Sequence, residues 1–328
     1  MSKGGLLVKH SIKKRYLVAI LVILAVISLF VGVSSLTIND ILTLREDKIQ
    51  LLIISRLPRL IAIIVAGVGL SVSGLIMQQI SRNKFVAPTT AGTTDFAKLG
   101  LLVGMIWFGE AGTMAKMMIA FIFSMIGTVV FMKMIKSIKV KNVIFVPLVG
   151  MMLGKVVGSI TAYFSYQYDL VQNISSWMEG NLSLIMSGNY ELLYLSVPVV
   201  IVGFMYANKF TIAGMGEDFA TNLGLNYNLI VNVGLGIVAL ITSVTMITVG
   251  NIPFLGLIIP NVVTMYAGDN LKNSLYHTAL LGPIFLLICD IIGRLIIYPF
   301  EVSIGMMVGT IGGGLFLYII LRRAKNEG

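Results

Sequence analysis

Three arginines near the ends of long apolar segments are the ionisable groups most able to bind a charged partner. Arg56 and Arg59 flank Pro58, and proline fits the first turn of a helix. Arg294 lies near the end of another apolar segment. Guanidinium groups bind carboxylates through paired hydrogen bonds, so these arginines could dock an acidic surface. Side chains that anchor helix ends at a lipid interface would show the same pattern.

Asp290 stands four residues before Arg294. This spacing places both side chains on one face of a helix, where they can form an ion pair. Ionisable residues within apolar segments are costly unless they pair or face water. Asp290 is therefore either half of a structural ion pair or a residue of a transport pathway, and its spacing alone leaves both open.

Lys98 and Lys155 also fall within apolar segments, without an obvious local partner. Pairing across helices with Asp95, Asp169 or Glu179 would compensate for their charge. In an ion-coupled carrier, such lysines and Asp290 would instead relay charge or bind the coupling ion.

A loop over about residues 208–226 is predicted to contain a short helix. Its notable residues are Gly214, Gly216, Glu217, Asp218, Phe219, Ala220, Leu223 and Gly224. The acidic pair after two glycines suits the first turn of a helix, and the three apolar residues then share a face that ends at the last glycine. Such a helix could insert into a groove on a cytoplasmic partner, and a plain connector is the alternative.

Motifs for catalysis or metal binding are missing from the sequence. It has no HExxH, no GxxxxGK[ST], no CxxC and no convincing Ser/His/Asp arrangement. The lone Cys289 lies in an apolar run and reads as a packing residue. We expect neither enzymatic activity nor a cofactor in this chain. If ATP drives its function, ATP and Mg²⁺ must bind to another polypeptide.

The composition is that of an integral membrane protein. Hydrophobic residues make up 57% and charged residues 12% of the 328 residues, and the mean hydropathy is +0.95. The formal charge of +10 could suggest nucleic acid as a partner. The basic residues instead form short clusters between apolar runs, as the positive-inside rule for membrane proteins requires, so nucleic-acid binding is not expected.

Roughly ten apolar segments of membrane-spanning length follow one another, and they predict an all-α protein with a single transmembrane domain over residues 1–328. They cover about residues 16–36, 57–80, 91–108, 113–135, 142–166, 188–207, 228–250, 254–267, 275–298 and 304–321.

Basic residues predict the orientation of these segments. The cluster from Lys9 to Arg15 precedes the first segment, which reads as a retained helix and not as a signal peptide. Ten crossings return the C-terminus, with its own basic cluster, to the same side, so both termini should be cytoplasmic. Lys133, Lys139 and Lys141 also fall inside. The first external loop violates the rule through Arg45, Lys48, Arg56 and Arg59.

Three further segments have unusual composition. Residues 254–267 contain Pro260 and are short, so this segment should break or stop partway across the bilayer. Residues 164–187 are semi-polar and form either a short helix at the mouth of a pathway or an interfacial loop. Small residues crowd the second and last segments, which predicts close helix packing.

Six separated motifs resemble the permeases of type II ABC importers for iron-siderophore complexes and cobalamin, the FecCD-like family. The motifs are Arg56 to Arg59 with the Gly/Ser-rich helix that follows, Gln78 to Lys84, Gly214 to Gly224, Gly250 to Asn261, Asp290 to Arg294, and Glu301 to Gly305. They occur in the order and spacing of the family, and the resemblance covers nearly the whole chain. Pro88 to Thr93, and Asn261 after Pro260, resemble the branch for catecholate siderophores such as petrobactin and anguibactin.

The resemblance implies a ten-helix permease in the bacterial cytoplasmic membrane. It implies a second permease subunit, often a different chain, two cytoplasmic ATPases and an extracytoplasmic siderophore-binding protein. Arg56, Arg59 and Arg294 would receive acidic residues of the binding protein, and the Gly214 to Gly224 loop would be the coupling helix that docks on the ATPase. A permease for cobalamin or haem and, in another class, an ion-coupled secondary transporter are the alternatives.

Overall fold

The protein is described by a computed structural model over residues 13–32, 46–137, 145–268 and 271–327. These ranges are almost wholly helical. The α-helices are α1 (Lys14–Phe30), α2 (Glu46–Ile80), α3 (Thr93–Trp107), α4 (Thr113–Ser137), α5 (Phe145–Gln167), α6 (Val171–Met178), α7 (Ser196–Met205), α8 (Ala207–Met215), α9 (Glu217–Asn222), α10 (Tyr227–Val249), α11 (Leu255–Ala267), α12 (Leu271–Leu295) and α13 (Ile304–Glu327). Short 3₁₀ turns cover Pro88–Ala91, Leu182–Leu184 and Glu191–Leu195.

Each of the ten predicted apolar segments coincides with a helix or a helix pair. By length and composition, five helices of the described residues can cross a bilayer: α2, α4, α5, α10 and α12. A sixth span is formed if the segment Glu191–Met205 and α8 are counted together, with a bend of 59° between them. The prediction of an all-α membrane protein is confirmed.

The helix α2 lies at the centre of the bundle and packs against α10, α11 and α12. Its glycines make this possible. A Cβ atom on Gly67 would lie 2.6 Å from the Cα atom of Pro283 in α12, and one on Gly74 would overlap the carbonyl oxygen of Gly256 in α11. The close packing predicted for the second segment is therefore confirmed.

The last helix, α13, uses its glycines less. A Cβ atom on Gly305 would lie 3.0 Å from the carbonyl oxygen of Asn251, whereas one on Gly314 would meet nothing within 4 Å. Gly312 also approaches α11, where a Cβ atom would lie 3.0 Å from Cδ1 of Ile258, so only part of the glycines of α13 face close neighbours in this chain.

The helix α11 has 13 residues, which at 1.5 Å per residue is about 20 Å, less than the bilayer core of about 30 Å. The prediction that this segment stops partway is confirmed. Its buried Asn261 donates from Nδ2 to the carbonyl oxygens of Lys84 and Leu257, at 2.7 Å each. The side chain thereby ties α11 to the turn that follows α2.

The buried apolar side chains form two main clusters, one at each end of the bundle. We call one end the arginine end, because it contains Arg59 and Arg294 and the cluster with Leu60 and Ile304. The opposite end, which we call the loop end, contains residues 208–226 and the cluster with Phe210 and Leu271. Lys9, Lys139 and Lys141, which support the predicted orientation, and Arg45, which violates it, lie outside the described residues.

We expect Gly74→Ala to destabilise the protein, because the new methyl group would overlap the backbone of α11. Overpacking of this kind costs about 1–3 kcal/mol. The effect is measured by thermal unfolding of the purified protein in detergent, with the loss of monodisperse protein as the readout. Gly236→Ala in α10 is the matched control, since a Cβ there meets nothing within 4 Å. Equal melting temperatures for both variants would contradict the packing described.

Candidate functional site

Four charged side chains meet at the arginine end: Arg59 of α2, Asp290 and Arg294 of α12, and Glu301 of the segment before α13. We call this set the arginine network. It contains two positive and two negative groups, so its formal charge is zero. Ion pairs within an apolar bundle must compensate for the cost of removing charges from water, which is several kcal/mol per ion.

Arg59 bridges the two carboxylates of the network. Its Nε and Nη2 atoms donate to Oδ1 of Asp290 at 3.1 and 2.7 Å. Its Nη1 atom donates to Oε2 of Glu301 at 2.7 Å. Two nitrogens of the planar guanidinium thus bind Asp290, and the third binds Glu301. These bonds join α2 to α12 and to the segment before α13.

Arg294 is buried on the other side of Asp290. Its Nη2 atom donates to Oδ2 of Asp290 and, at 2.6 Å, to the hydroxyl of Ser28. Its Nη1 atom donates to the carbonyl oxygens of Ser28 and Val31, at 3.0 and 2.6 Å. The pair predicted from the spacing of Asp290 and Arg294 is confirmed, and it also binds the end of α1.

Arg56 lies apart from these ion pairs. Only 8% of it is exposed, and its Nη1 atom donates to the carbonyl oxygen of Leu29 at the end of α1. Arg294 is 5% exposed, and 13% of the Arg59 side chain is exposed. All three guanidinium groups are thus held by internal acceptors. Their role in docking stays a prediction.

Glu301 is the most accessible member of the network, with 22% of its side chain exposed. Its Oε2 atom also accepts a hydrogen bond of 2.5 Å from the hydroxyl of Ser183. Burial by itself would raise the pKa of Glu301. The Ser183 hydroxyl and the Arg59 charge outweigh that effect, so the pKa lies below its usual value and the group is a carboxylate at neutral pH.

Sequence reasoning found the pair within α12 and missed the bridge from Arg59 to Asp290 and Glu301. The bridged residues are separated by 231 and 242 positions in the chain. Periodicity reports only neighbours on one helix. A usable signal was present nonetheless, since Glu301 belongs to a motif of the family and is one of few acidic residues near the end of an apolar segment.

The loop end carries the predicted short helix, α9. Gly216 precedes it with φ of +131°, and a Cβ there would overlap the guanidinium of Arg82. A Cβ on Gly214 would likewise overlap the side-chain amide of Gln79. Both glycines therefore fit the loop against the end of α2. Gly224 closes the loop with φ of +75° in open space, a backbone region that glycine adopts readily.

The apolar side chains of α9 do not share one face. Ala220 is fully buried, where it packs the helix onto the bundle. Phe219 and Leu223 are 48% and 56% exposed, and Met215 just before the helix is 58% exposed. Glu217 is exposed in the first turn. The result is a small apolar surface beside an acidic helix start, available to another protein.

The intramembrane lysines are arranged differently from the prediction of pairs across helices. Lys98 forms an ion pair of 3.7 Å with Asp95, three residues earlier on the same helix. Lys155 is exposed on α5, near enough to Asp95 for electrostatic interaction. Asp169 and Glu179 form no ion pair with either lysine among the described residues. This surface cluster, unlike the arginine network, lies outside the core.

A cavity of about 780 Å³ lies beside α6 at the arginine end. Polar residues that line it include Gln172, Asn173, Ser176, Glu179, Asn181 and Asn189. The semi-polar stretch thus contains a short helix next to a cavity, and its place at the mouth of a pathway stays a prediction. Over the described residues, no three His, Cys, Asp or Glu side chains are grouped as a metal site would require.

A model of the FecCD transport family matches residues 20–322. The chain belongs to the FecCD transport family. This family member is 57% identical, over 95% of its length and 98% of the relative, to the petrobactin import system permease protein YclN of Bacillus subtilis. It is 39% identical, over 91% of its length and 95% of the relative, to the ferric-anguibactin transport system permease protein FatD of Vibrio anguillarum.

A solved structure has the same fold as this FecCD family member. It is a metal-chelate type ABC transporter in an inward-facing conformation, with a TM-score of 0.83 and 23% sequence identity, over 94% of this chain and 98% of the other. The protein thus has the permease fold of type II ABC importers, as the motifs predicted, and it is a multi-pass membrane protein with a transport role.

We expect Asp290→Asn to be strongly destabilising, because it leaves two buried guanidinium groups with a neutral partner. Breaking a buried pair in this way costs about 3–5 kcal/mol. Thermal unfolding in detergent measures the loss. Asp169→Asn is the matched control, because Asp169 is exposed with φ of +53°, a conformation that asparagine tolerates. A shift no larger than that of the control would show that the network does not stabilise the fold.

Proposed function

We propose that this chain is a permease subunit of an ABC importer that carries ferric siderophore of the catecholate, petrobactin-like type across the bacterial cytoplasmic membrane. The observation that carries the proposal is the 57% identity to the petrobactin import permease over nearly the full length of both chains. Identity at that level extends through both ends of the bundle, and the 39% identity to the ferric-anguibactin permease supports the same substrate class.

In this proposal, the loop end faces the cytoplasm, both termini are cytoplasmic and the arginine end faces outward. ATP and Mg²⁺ bind to two ATPase subunits and not to this chain. The exposed Phe219 and Leu223 of α9, beside the acidic Glu217, provide the contact with one ATPase. A second permease, of a different sequence, completes the pathway within the lipid bilayer.

The arginine end receives the extracytoplasmic siderophore-binding protein. Arg59 is the best placed of the three predicted docking arginines, because part of its side chain is exposed and its Nη1 atom points to a partly exposed carboxylate. Arg56 and Arg294 support it from within, since both hold the end of α1. Acidic residues on the binding protein are the complementary partner.

An ion-coupled secondary transporter is less well supported. Such a carrier needs a carboxylate that can exchange its bound ion, whereas Asp290 is 2% exposed and is held by two arginines. Cobalamin and haem remain the alternative cargoes within the ABC class, and a vitamin B12 import permease is 28% identical to this chain.

Uptake of labelled substrates in a deletion strain and its complemented parent tests the cargo. We expect deletion to abolish uptake of iron from catecholate complexes such as ferric petrobactin, and to leave hydroxamate iron, haem and labelled cobalamin unaffected. A protonophore added while ATP is maintained should leave uptake intact. Loss of cobalamin or haem uptake would assign a different cargo, and collapse of uptake with the ion gradient would favour the secondary carrier.

Crosslinking tests the contact with the ATPase. We expect Leu223→Cys to crosslink to a cysteine on the ATPase surface in the assembled importer, because its side chain is 56% exposed on α9. Tyr168→Cys, at the opposite end of the bundle and 52% exposed, is the matched control and should not react. The native Cys289 is buried and need not be replaced. Equal yields from both positions would exclude a specific contact at α9.

A further inference from the structure

The two carboxylates that hold Arg59 are not equivalent. Asp290 is 2% exposed and binds both arginines, so its removal would leave Arg294 without a carboxylate and Arg59 with Glu301 alone. Glu301 is 22% exposed and belongs to a non-helical segment, and among the described residues it binds Arg59 and the Ser183 hydroxyl. Of the two, Glu301 is the partner that can leave without unpairing the core.

The donors of Arg59 determine where a second acid can bind. Its Nε and Nη2 atoms are directed to Asp290, and Nη1 is directed to Glu301. A carboxylate that approaches from outside reaches Arg59 on the Glu301 side. Nη1 has two hydrogens and can hold both acceptors, but two carboxylates so close together repel each other, which favours loss of the resident one when another arrives.

We propose that Glu301 occupies the docking position of Arg59 as an internal competitor, and that an acidic residue of the binding protein replaces it. The inference rests on the proposed function, in which Arg59 receives the binding protein. The exchange keeps Arg59 neutralised throughout, because one carboxylate leaves as another arrives. The displaced Glu301 is partly exposed already and becomes hydrated.

The exchange also reaches the cavity beside α6. Glu301 accepts a hydrogen bond from Ser183, and residues 180 and 181 just before Ser183 are bound to α13 and α10. The N–H of Gly305 donates to the carbonyl oxygen of Gly180 at 3.0 Å, and the N–H of Asn181 donates to that of Val249 at 3.1 Å. Asn181 and Val249 line the cavity. Release of Ser183 by Glu301 therefore loosens the chain that connects the docking position to the cavity wall.

The competition is tested by measuring how tightly the complete importer, in nanodiscs, binds the extracytoplasmic binding protein that is encoded with it. We expect Glu301→Gln to tighten binding by roughly fivefold, the scale of a partly exposed ion pair. Arg59→Ala should weaken binding, and in that background Glu301→Gln should have no further effect. Glu110→Gln removes the same charge from an exposed loop and is the matched control.

The outcomes separate the two proposals. If Arg59→Ala leaves the affinity unchanged, docking at Arg59 is wrong and the competition falls with it. If Arg59→Ala weakens binding but Glu301→Gln does not tighten it, only the competition is overturned. An equal gain from Glu110→Gln and Glu301→Gln would indicate a general effect of surface charge and would also overturn it.

Chemical modification provides a readout that needs no binding protein. Phenylglyoxal reacts with accessible arginines, and mass spectrometry reports the rate at each site. We expect Glu301→Gln to speed modification of Arg59 several-fold in the detergent-purified protein, with the exposed Arg15 as the internal reference. An unchanged rate at Arg59 would show that Glu301 does not shield it and would overturn the proposal.

Discussion

The carboxylate of Asp290 is shared by two guanidinium groups inside an apolar bundle, and the arrangement of the arginine end depends on this interaction. Unpaired arginines at this depth would cost several kcal/mol each. Through Arg294 the carboxylate holds the end of α1, and through Arg59 it holds α2 and the segment that carries Glu301. The end of α1, α2, and α12 with the segment that follows it are thereby joined at one charged centre.

Such a centre requires that α2 and α12 lie close together along their length. In lipid, apolar surfaces do not drive helices together as they do in water, and close packing depends on small residues. Gly67 of α2 lies against the backbone of Pro283 in α12. This contact lies two turns further along α2 than Arg59, at 3.6 residues per turn. The glycine contact and the ion pair therefore constrain the same helix pair.

The sequence was sufficient to predict the helices and one of the ion pairs. Long apolar runs specify membrane helices directly, and the i, i+4 spacing of Asp290 and Arg294 specifies their contact. The bridge from Arg59 to Glu301 spans 242 positions, and no local pattern encodes it. The burial of Arg56 and Arg294 could not be predicted, because a charged residue at a helix end can turn either toward water or toward internal carbonyl groups. The prediction that Ala220 shares a face with Phe219 and Leu223 was wrong for a similar reason, since the sequence of a short helix does not reveal which side packs against the bundle.

The helix α2 connects the two functional ends of the molecule. Arg59 lies in the first half of α2. Gln79, next to its last residue, contacts Gly214, and Arg82, just beyond its end, contacts Gly216 before α9. Twenty residues separate Arg59 from Gln79, which corresponds to about 30 Å of helix. Between these two residues α2 is a continuous helix that packs on α10, α11 and α12. A change in the partners of Arg59 therefore affects α2, the same helix that supports α9. No separate chain of contacts is needed for one end to influence the other, because a single helix touches both.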